Sequence, residues 1–278
     1  MLVNPKQIIL EAKKGGYAIG AFNTSDLEIT KAIVAAAEAQ NSPVIISTSE
    51  KAIEYAGLST LALIVIEEAR QAKIPVAFHL DHGKTIATVE KCIRAGYSSV
   101  MFDGSSLSIE ENELKTRHAV ELAHHAGISC EGELGHLGKA GVNSSDLTDP
   151  EDMPDFIQRT GVDFLAVSIG SQHGSRGEGS EKLDIGLLKK IAEKTATPLV
   201  LHGASGVGEE DVRQAISAGI SKINIDTDIR QTFAGALRET MEKDAKADDP
   251  RDILTFAMGE VQKLVEAKIK LFGSDGKA

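Results

Sequence analysis

Two histidines and an aspartate lie within four positions in the stretch AFHLDHGK, residues 77–84, directly after apolar residues typical of a buried strand. Two further histidines, His173 in GSQHG and His202 in LHGASG, follow other apolar runs. Three imidazoles with one open coordination position form the ligand set of a catalytic zinc site, where water or a substrate oxygen takes the fourth place. The sequence therefore predicts a zinc site formed by His82, His173 and His202.

Asp81, beside the first of these histidines, admits two roles. Its carboxylate can move a proton to or from a substrate hydroxyl, or it can orient a histidine of the metal site from behind. Asp103, Glu131 and Glu133 are either additional metal or cation ligands or hydrogen-bond partners inside the site, and we favour hydrogen bonding. His79 lies deeper on the same strand as Asp81, where we expect a packed histidine.

Eight short apolar runs rich in Val and Ile alternate with longer amphipathic segments, which is typical of parallel strands joined by helices. The runs begin at Tyr17, Pro43, Pro75, Tyr97, Ile128, Asp163, Pro198 and Ser221. Eight such units in roughly 250 residues is the usual size of a closed barrel. We therefore predict one domain, residues 1–278, folded as a single (β/α)₈ TIM barrel of the α/β class with an extra C-terminal helix.

In such barrels the functional side chains lie at the C-terminal ends of the strands, which is where His82, His173 and His202 fall. The loops after strands seven and eight commonly bind phosphate through backbone N–H groups at a helix start. Gly203, Ser205 and Thr227 occupy these loops, so the barrel prediction makes them candidate anion ligands.

The overall charge narrows the classes of partner. A formal net charge of −11 argues against nucleic acid and anionic membrane, because both require a basic surface. No segment approaches the roughly 20 apolar residues of a membrane span, and the N-terminus lacks the pattern of a signal peptide, so we expect a cytoplasmic protein. Cys92 and Cys130 match no metal or redox motif, and we expect reduced, buried thiols.

The motifs HLDHG, GSQHG, LHGASG, KINIDTDIR and DPRD resemble, in order and spacing, those of the class II, zinc-dependent ketose-bisphosphate aldolases, and the resemblance covers essentially the whole chain. It implies reversible aldol cleavage of fructose-1,6-bisphosphate to dihydroxyacetone phosphate and glyceraldehyde 3-phosphate. By this resemblance His82, His173 and His202 would hold Zn²⁺, and Asp81 would be the acid/base. A monovalent cation, Na⁺ or K⁺, is a further cofactor that the resemblance leaves open.

The resemblance also implies substrate contacts and an oligomer. Substrate-binding positions would be Asn23, Ser49, Gly174, Gly203, Ser205, Asn224, Asp226, Thr227, Arg230, Asp249 and Arg251. In close relatives the residues that match Asp249 and Arg251 reach the far end of the sugar from a neighbouring subunit. A homodimer or homotetramer is therefore expected.

The sequence departs from the family pattern in three respects. Arg176 and Lys182 stand where a Tyr-Lys or similar pair often follows the second zinc histidine. Residues 138–150 contain no glutamate to exchange the carbon-bound proton of dihydroxyacetone phosphate, and Asp146 or Asp149 could substitute. Ala204 matches tagatose-bisphosphate aldolases, whereas NIDTDIR is fructose-type, so both sugars remain open.

Two readings from other classes compete with the aldolase. A zinc hydrolase on the same barrel would use the metal to activate water, and it would have no use for binding two phosphates. A barrel retained only for binding or oligomer structure would not need the set of Asp81 and three histidines.

Overall fold

Eight parallel strands close into a barrel, with at least one helix between consecutive barrel strands. The structure, a computed structural model, describes residues 1–135, 138–139, 147–173, 183–243 and 248–278, with 138–139 and 172–173 described by their backbone alone. The barrel strands are β1 (Ile19–Asn23), β2 (Val44–Ser49), β3 (Val76–Gly83), β4 (Ser99–Phe102), β5 (Ser129–Leu134), β7 (Phe164–Val167), β9 (Leu199–Leu201) and β10 (Ile220–Ile225). The prediction of a (β/α)₈ barrel is confirmed, and each strand lies within a few residues of its predicted run.

The helices account for most of the remaining described chain. They are α1 (Lys6–Gly15), α2 (Leu27–Ala39), α3 (Glu50–Ala56), α4 (Leu58–Gln71), α5 (Ile86–Arg94), α6 (Ile109–His125), α7 (Met153–Thr160), α8 (Ile185–Glu193), α9 (Glu209–Ser217), α10 (Thr227–Lys243) and α11 (Pro250–Phe272). Two short strands, β6 (Gly138–Lys139) and β8 (Gln172–His173), pair in parallel outside the barrel. The sequence patterns did not predict this small sheet.

Alternation along the strands separates two hydrophobic cores. Side chains such as Ile45, Ala77 and Val200 point into the barrel, whereas their neighbours in sequence pack between the sheet and the helices. Helix α1, which no sequence pattern predicted, places Ile9 and Ala12 in the inner core and closes the end of the barrel opposite the site. The other end of the barrel is left for polar side chains.

The predicted C-terminal helix is present as α11, a 23-residue helix that begins after the N-cap Asp249. Its buried residues face α2 and α10, and Phe272 stacks on Phe22 of β1 with ring centroids 6.4 Å apart. The final residues continue this contact, since the hydroxyls of Ser42 and Ser274 bond at 2.9 Å. Helix α11 therefore covers the outer face of the barrel beside β1. Within the described residues, no helix combines the length and the apolar character needed to cross a membrane.

Candidate active site

A cavity of about 160 Å³ opens at the C-terminal ends of the barrel strands. It brings together residues from five barrel strands, β1, β2, β3, β9 and β10, or from the segments that follow them. Its lining residues are Asn23, Ser49, Asp81, His82, His202, Gly203, Ser205, Asn224, Asp226, Thr227 and Arg230. Eleven residues predicted from sequence as catalytic, metal-ligating or substrate-binding therefore share one cavity, although they lie more than 200 positions apart along the chain.

Asp81 is buried at the floor of this cavity between two asparagines. Its Oδ2 accepts a hydrogen bond from Nδ2 of Asn23 at 2.8 Å, and its Oδ1 accepts one from Nδ2 of Asn224 at 2.9 Å. The nearest histidine nitrogens lie 3.8 Å and 4.0 Å from Oδ1, beyond hydrogen-bond reach. Of the two roles open for Asp81, orientation of a histidine is therefore not supported by its contacts.

The pKa of Asp81 reflects two opposing effects. Burial by itself would raise it, because a low-dielectric environment disfavours the charged carboxylate. The nearby positive charges of His82, His202 and Lys222 outweigh burial and, with the hydrogen bond from Asn23, lower the pKa to about 2. The group is therefore a carboxylate at neutral pH and can accept a proton.

His82 and His202 face each other across the cavity, with Nε2 of His82 2.9 Å from Nδ1 of His202. The opposite ring nitrogens contact carboxylates: Nδ1 of His82 lies 2.6 Å from Oδ2 of Asp103, and Nε2 of His202 lies 2.7 Å from Oε1 of Glu131. Since ionised carboxylates only accept hydrogen bonds, each histidine donates on its outer side. The two inner nitrogens are then satisfied either by a proton on one of them or by a metal ion that both ligate, so the donor set fits a metal ion.

His82 reaches the cavity because β3 departs from regular strand geometry. Alternation would send Asp81 and His82 to opposite faces of the sheet. His82 instead has φ of 52°, in the left-handed region, and the pairing of β3 with β4 shifts register between Leu80 and Gly83. A Cβ at Gly83 would lie 2.7 Å from the carbonyl oxygen of Met101, so a glycine allows this close approach.

A second acidic group lies behind His82. Asp103 accepts from His82 and from Nζ of Lys84, and Oε2 of Glu133 lies 3.5 Å from Nδ1 of His82. Burial opposes a charge on His82, but Asp81, Asp103 and Glu133 raise the pKa of its imidazole to about 9. Burial raises the pKa of Glu133 to about 8, and its Oε2 is buried with no hydrogen-bond partner among the described residues.

The described residues contain two groups of three His, Asp or Glu side chains that could hold a metal ion, because their ligand atoms lie within 4.8 Å of one another. One is Asp81 with His82 and His202, and the other is His82 with Asp103 and Glu133. Asp103 and Glu133, predicted to be partners inside the site or alternate metal ligands, thus contact the rear nitrogen of His82. His79, expected to be packed, is 1% exposed and its Nδ1 bonds Ser99 Oγ at 2.9 Å.

One wall of the cavity has the features of an anion site. The loop after β9 contains Gly203 and Gly206 with positive φ of 63° and 75°, and its Ser205 Oγ accepts from the backbone N–H of Asp228 at 3.2 Å. That N–H belongs to the first turn of α10, so the loop and the helix start lie side by side. Backbone N–H groups in such a place favour negative charge.

A second cavity, of about 410 Å³, continues from the first on the side of β1 and β2. The two share Asn23, Ser49, Asp226 and Arg230. The guanidinium of Arg230 is paired with Asp226 at 2.8 Å and 2.9 Å. Lys51 also lines this cavity and has no ion pair or hydrogen bond of its side chain among the described residues. No motif in the sequence points to Lys51.

Some predicted site residues lie elsewhere or outside the described part of the chain. Asp249 and Arg251 are at the start of α11, paired with each other at 2.6 Å, and they do not line either cavity. The side chain of His173 is not described, and the positions Gly174, Arg176, Lys182 and Asp146 lie outside the described residues. Asp149 is exposed and accepts from the backbone N–H of Glu151.

The fold and the site together define a (β/α)₈-barrel enzyme with its reaction cavity at the C-terminal rim. Residues 3–277 match the family model described as fructose-bisphosphate aldolase class-II. A fructose-bisphosphate aldolase of Thermus caldophilus is 42% identical and one of Geobacillus stearothermophilus is 41% identical, each over 100% of this chain and at least 99% of the relative. The chain therefore belongs to the class-II fructose-bisphosphate aldolase family, and it is an aldolase, a lyase of carbon–carbon bonds.

Solved structures agree with this assignment. The YdjI aldolase from Escherichia coli K12 superposes with a TM-score of 0.91 at 35% identity and covers 100% of both chains. The fructose-bisphosphate aldolase from Campylobacter jejuni superposes with a TM-score of 0.87 at 26% identity, over 100% of this chain and 96% of that one. The likeness extends over the whole barrel in both cases.

Proposed function

We propose that this chain catalyses the reversible, zinc-dependent cleavage of fructose-1,6-bisphosphate to dihydroxyacetone phosphate and glyceraldehyde 3-phosphate, and that residues 1–278 form one aldolase domain. The observation that carries the proposal is the environment of Asp81. Both of its oxygens are bound by asparagine amides, and it lies 3.8 Å and 4.0 Å from the inner nitrogens of two histidines. A base held this close to a metal-type donor pair fits aldol chemistry.

We assign the metal to His82, His173 and His202, with Asp103 and Glu131 holding the outer nitrogens of the first and last. Zinc bound there would supply a Lewis acid for the carbonyl oxygen of the ketose. Glu133, which reaches toward the rear nitrogen of His82, is either a further partner of this histidine or, with Asp103, an alternate metal ligand.

Asp81 performs the proton transfer of the cleavage step. Its carboxylate accepts the proton of the hydroxyl beside the scissile carbon–carbon bond, and that oxygen becomes the aldehyde carbonyl. The electron pair of the broken bond stays on the carbon next to the ketose carbonyl, which is later protonated to give dihydroxyacetone phosphate. Asp146 or Asp149 is proposed for this carbon-bound proton. In condensation, Asp81 returns its proton to the new hydroxyl.

The two phosphates would lie at opposite ends of the joined cavities. The dihydroxyacetone phosphate half would contact Gly174, Gly203, Ser205, Asn224, Asp226 and Thr227, and a monovalent cation, Na⁺ or K⁺, would be compatible with a phosphate there. The far phosphate would lie in the larger cavity near Ser49, Lys51 and Arg230. Binding at both ends fixes the reacting carbons against Asp81.

Asp249 and Arg251 complete the far end only from a neighbouring copy, so the proposal includes a homodimer or homotetramer. Neither side chain lines either of the two joined cavities among the described residues of its own chain. A role in sugar-phosphate metabolism such as glycolysis and a cytoplasmic location belong to the same proposal.

Tagatose-1,6-bisphosphate is the second candidate substrate, because Ala204 replaces the glycine of many fructose-type relatives. Cleavage of both sugars by zinc-loaded and chelator-stripped protein tests the proposal. We expect metal-dependent cleavage with preference for fructose-1,6-bisphosphate. A preference for the tagatose sugar would change the substrate alone, whereas full activity of stripped protein would remove the metal role, and cleavage of neither would reject the function.

The variant Asp81→Ala tests the base separately. Zinc binding should persist, and kcat should fall by about 10²–10⁴-fold, since a positioned acid/base contributes about that much. Asp155→Ala is the matched control, since Asp155 is an exposed acid that lines neither cavity and pairs with Arg159. Near-normal turnover of Asp81→Ala would overturn the acid/base assignment.

A further inference from the structure

A buried ion pair lies beneath the site, between Lys222 of β10 and Glu131 of β5. Nζ of Lys222 donates to Oε2 of Glu131 at 2.8 Å and to Oδ1 of Asn224 at 2.8 Å, and both members of the ion pair are 0% exposed. We propose that Lys222 is a positioning residue that fixes which nitrogen of His202 carries the proton and which way the amide of Asn224 points. The proposal rests on the metal-ligand role of His202 and not on the identity of the sugar.

The first effect of Lys222 is on Asn224. An asparagine amide has an acceptor oxygen and a donor nitrogen that can exchange places by a flip, whereas an ammonium group only donates. Lys222 therefore requires Oδ1 of Asn224 on its own side. The amide nitrogen is left on the other side, where Nδ2 donates to Oδ1 of Asp81 at 2.9 Å. A flipped Asn224 would place its oxygen against the Asp81 carboxylate, so Lys222 keeps the base correctly bound.

The second effect is on His202, through Glu131. Because Oε2 of Glu131 is taken by Lys222, Oε1 is directed at Nε2 of His202, 2.7 Å away. The carboxylate accepts the Nε2 proton, and a neutral imidazole then has its lone pair on Nδ1. Nδ1 is the nitrogen that faces His82 at 2.9 Å. The direction of each hydrogen bond from Lys222 thus selects the form of His202 that can ligate a metal.

A lysine suits this position because its ammonium group only donates hydrogen bonds, and both of its neighbours must present acceptor oxygens to it. His79 is a further titratable group beside the pair, with Nε2 3.7 Å from Oε2 of Glu131, and burial lowers its pKa well below the ordinary value, so it supplies no second positive charge to Glu131. A buried charge without a partner is strongly unfavourable. Lys222 and Glu131 therefore stabilise each other while each directs one group of the site.

The first test uses wild-type, metal-free protein labelled with ¹⁵N-histidine, and the His202 signals are assigned by their loss in His202→Gln. We expect the nitrogen shifts of the form protonated at Nε2. Nitrogen shifts of the form protonated at Nδ1 would overturn the proposal, and this test needs no variant of Lys222. This measurement involves no sugar, so it stays informative even if the proposed reaction fails.

The second test compares Lys222→Met with the double variant Lys222→Met/Glu131→Gln, which removes the ion pair without leaving a buried charge. Ile223→Val is the control, since Ile223 is buried on the opposite face of the same strand. Folding is checked by circular dichroism, and zinc affinity by competition with a chromogenic chelator. For Lys222→Met we expect zinc affinity to fall by about tenfold or more, as for other groups that orient a ligand.

The double variant removes the buried charge but not the loss of direction. Without Lys222 the glutamine amide at 131 can present either its oxygen or its NH₂ group to Nε2 of His202, so zinc affinity should remain below that of wild type. Asn224 has still lost its donor, so kcat should stay about tenfold low or more while KM changes little. Wild-type zinc affinity and kcat in folded Lys222→Met would overturn the proposal. If that variant fails to fold, wild-type kcat in the folded double variant would do the same.

Discussion

The Nε2 atom of His82 lies 2.9 Å from the Nδ1 atom of His202, although the two residues are on β3 and β9, at opposite positions around the barrel. Each ring is held from behind by a carboxylate on a third or fourth strand, Asp103 on one side and Glu131 on the other. The separation of the two inner nitrogens therefore depends on carboxylates that do not line the cavity.

Asp103→Asn should weaken zinc binding by about 10–100-fold, because the amide cannot hold the Nδ1–H of His82 as a carboxylate does. Zinc affinity is measured by competition with a chelator at fixed pH. Asp155→Asn is the control, since Asp155 is an exposed acid whose side chain pairs only with Arg159 among the described residues. Equal zinc affinities for wild type and Asp103→Asn would show that His82 is oriented by other contacts.

Lys51→Met should reduce the preference for a phosphorylated aldehyde. The test is condensation of dihydroxyacetone phosphate with glyceraldehyde 3-phosphate and with glyceraldehyde, compared as kcat/KM. A hydrogen bond to a charged group contributes about 1.5–3 kcal/mol, so the ratio should fall by about tenfold or more. Lys73→Met changes an exposed lysine outside both cavities and should leave the ratio unchanged. An unaltered ratio in Lys51→Met would exclude Lys51 from the far end.

Arg251 gives a test of sharing between subunits. Alone, Arg251→Ala should weaken bisphosphate substrates and leave dihydroxyacetone phosphate binding nearly unchanged. Mixed with Asp81→Ala under conditions that exchange subunits, it should regain activity at low substrate, because one site in the mixed dimer combines an intact Asp81 with an intact Arg251 from its neighbour. Activity equal to the sum of the two unmixed variants would mean that Arg251 serves no neighbouring site.

The two cysteines should be unreactive in the native protein. Burial raises the pKa of the Cys92 thiol to about 12 and raises that of Cys130 further, and both thiols are free. Because the thiolate is the reactive form, a raised pKa lowers reactivity at any pH below it. At pH 8 iodoacetamide should label neither residue, and in guanidinium chloride it should label both. Stoichiometric labelling of Cys92 in folded protein would contradict its burial.

The sequence was sufficient for the barrel and for the side chains at its rim. Apolar runs that begin at residues such as Pro75 and Pro198 are short and regularly spaced, and a polar residue directly after them falls at the functional end of a barrel. His82 was predicted to lie at the rim, and its side chain lines the cavity there, but the prediction did not explain how the chain places it. Strict alternation along β3 would have placed the side chain of His82 on the face opposite to Asp81. The left-handed backbone conformation of His82 explains why both side chains reach the same cavity.

Lys222 could not be found in the same way. In SKINID it looks like the polar position of a half-buried strand, and its partner Glu131 is 91 positions away in the sequence. Their contact exists only once the barrel closes, because β10 and β5 are not neighbours in the sheet, whereas the contact of Asp103 with His82 needs only the pairing of β3 with β4. Helix α1 was missed for a related reason, because its apolar residues acquire a partner only when the inner core is assembled.

The left-handed turn at His82 places Asp81 and His82, consecutive residues, in one cavity. Their separation is set by a single peptide unit and hardly varies with the state of the barrel. The separation of His82 from His202 is set by the whole circumference, since three strands lie between β3 and β9 in either direction. A slight opening of the barrel would thus separate His82 from His202 while leaving Asp81 beside His82. Loss of bound metal would therefore be an early sign that the strands of the barrel have moved apart.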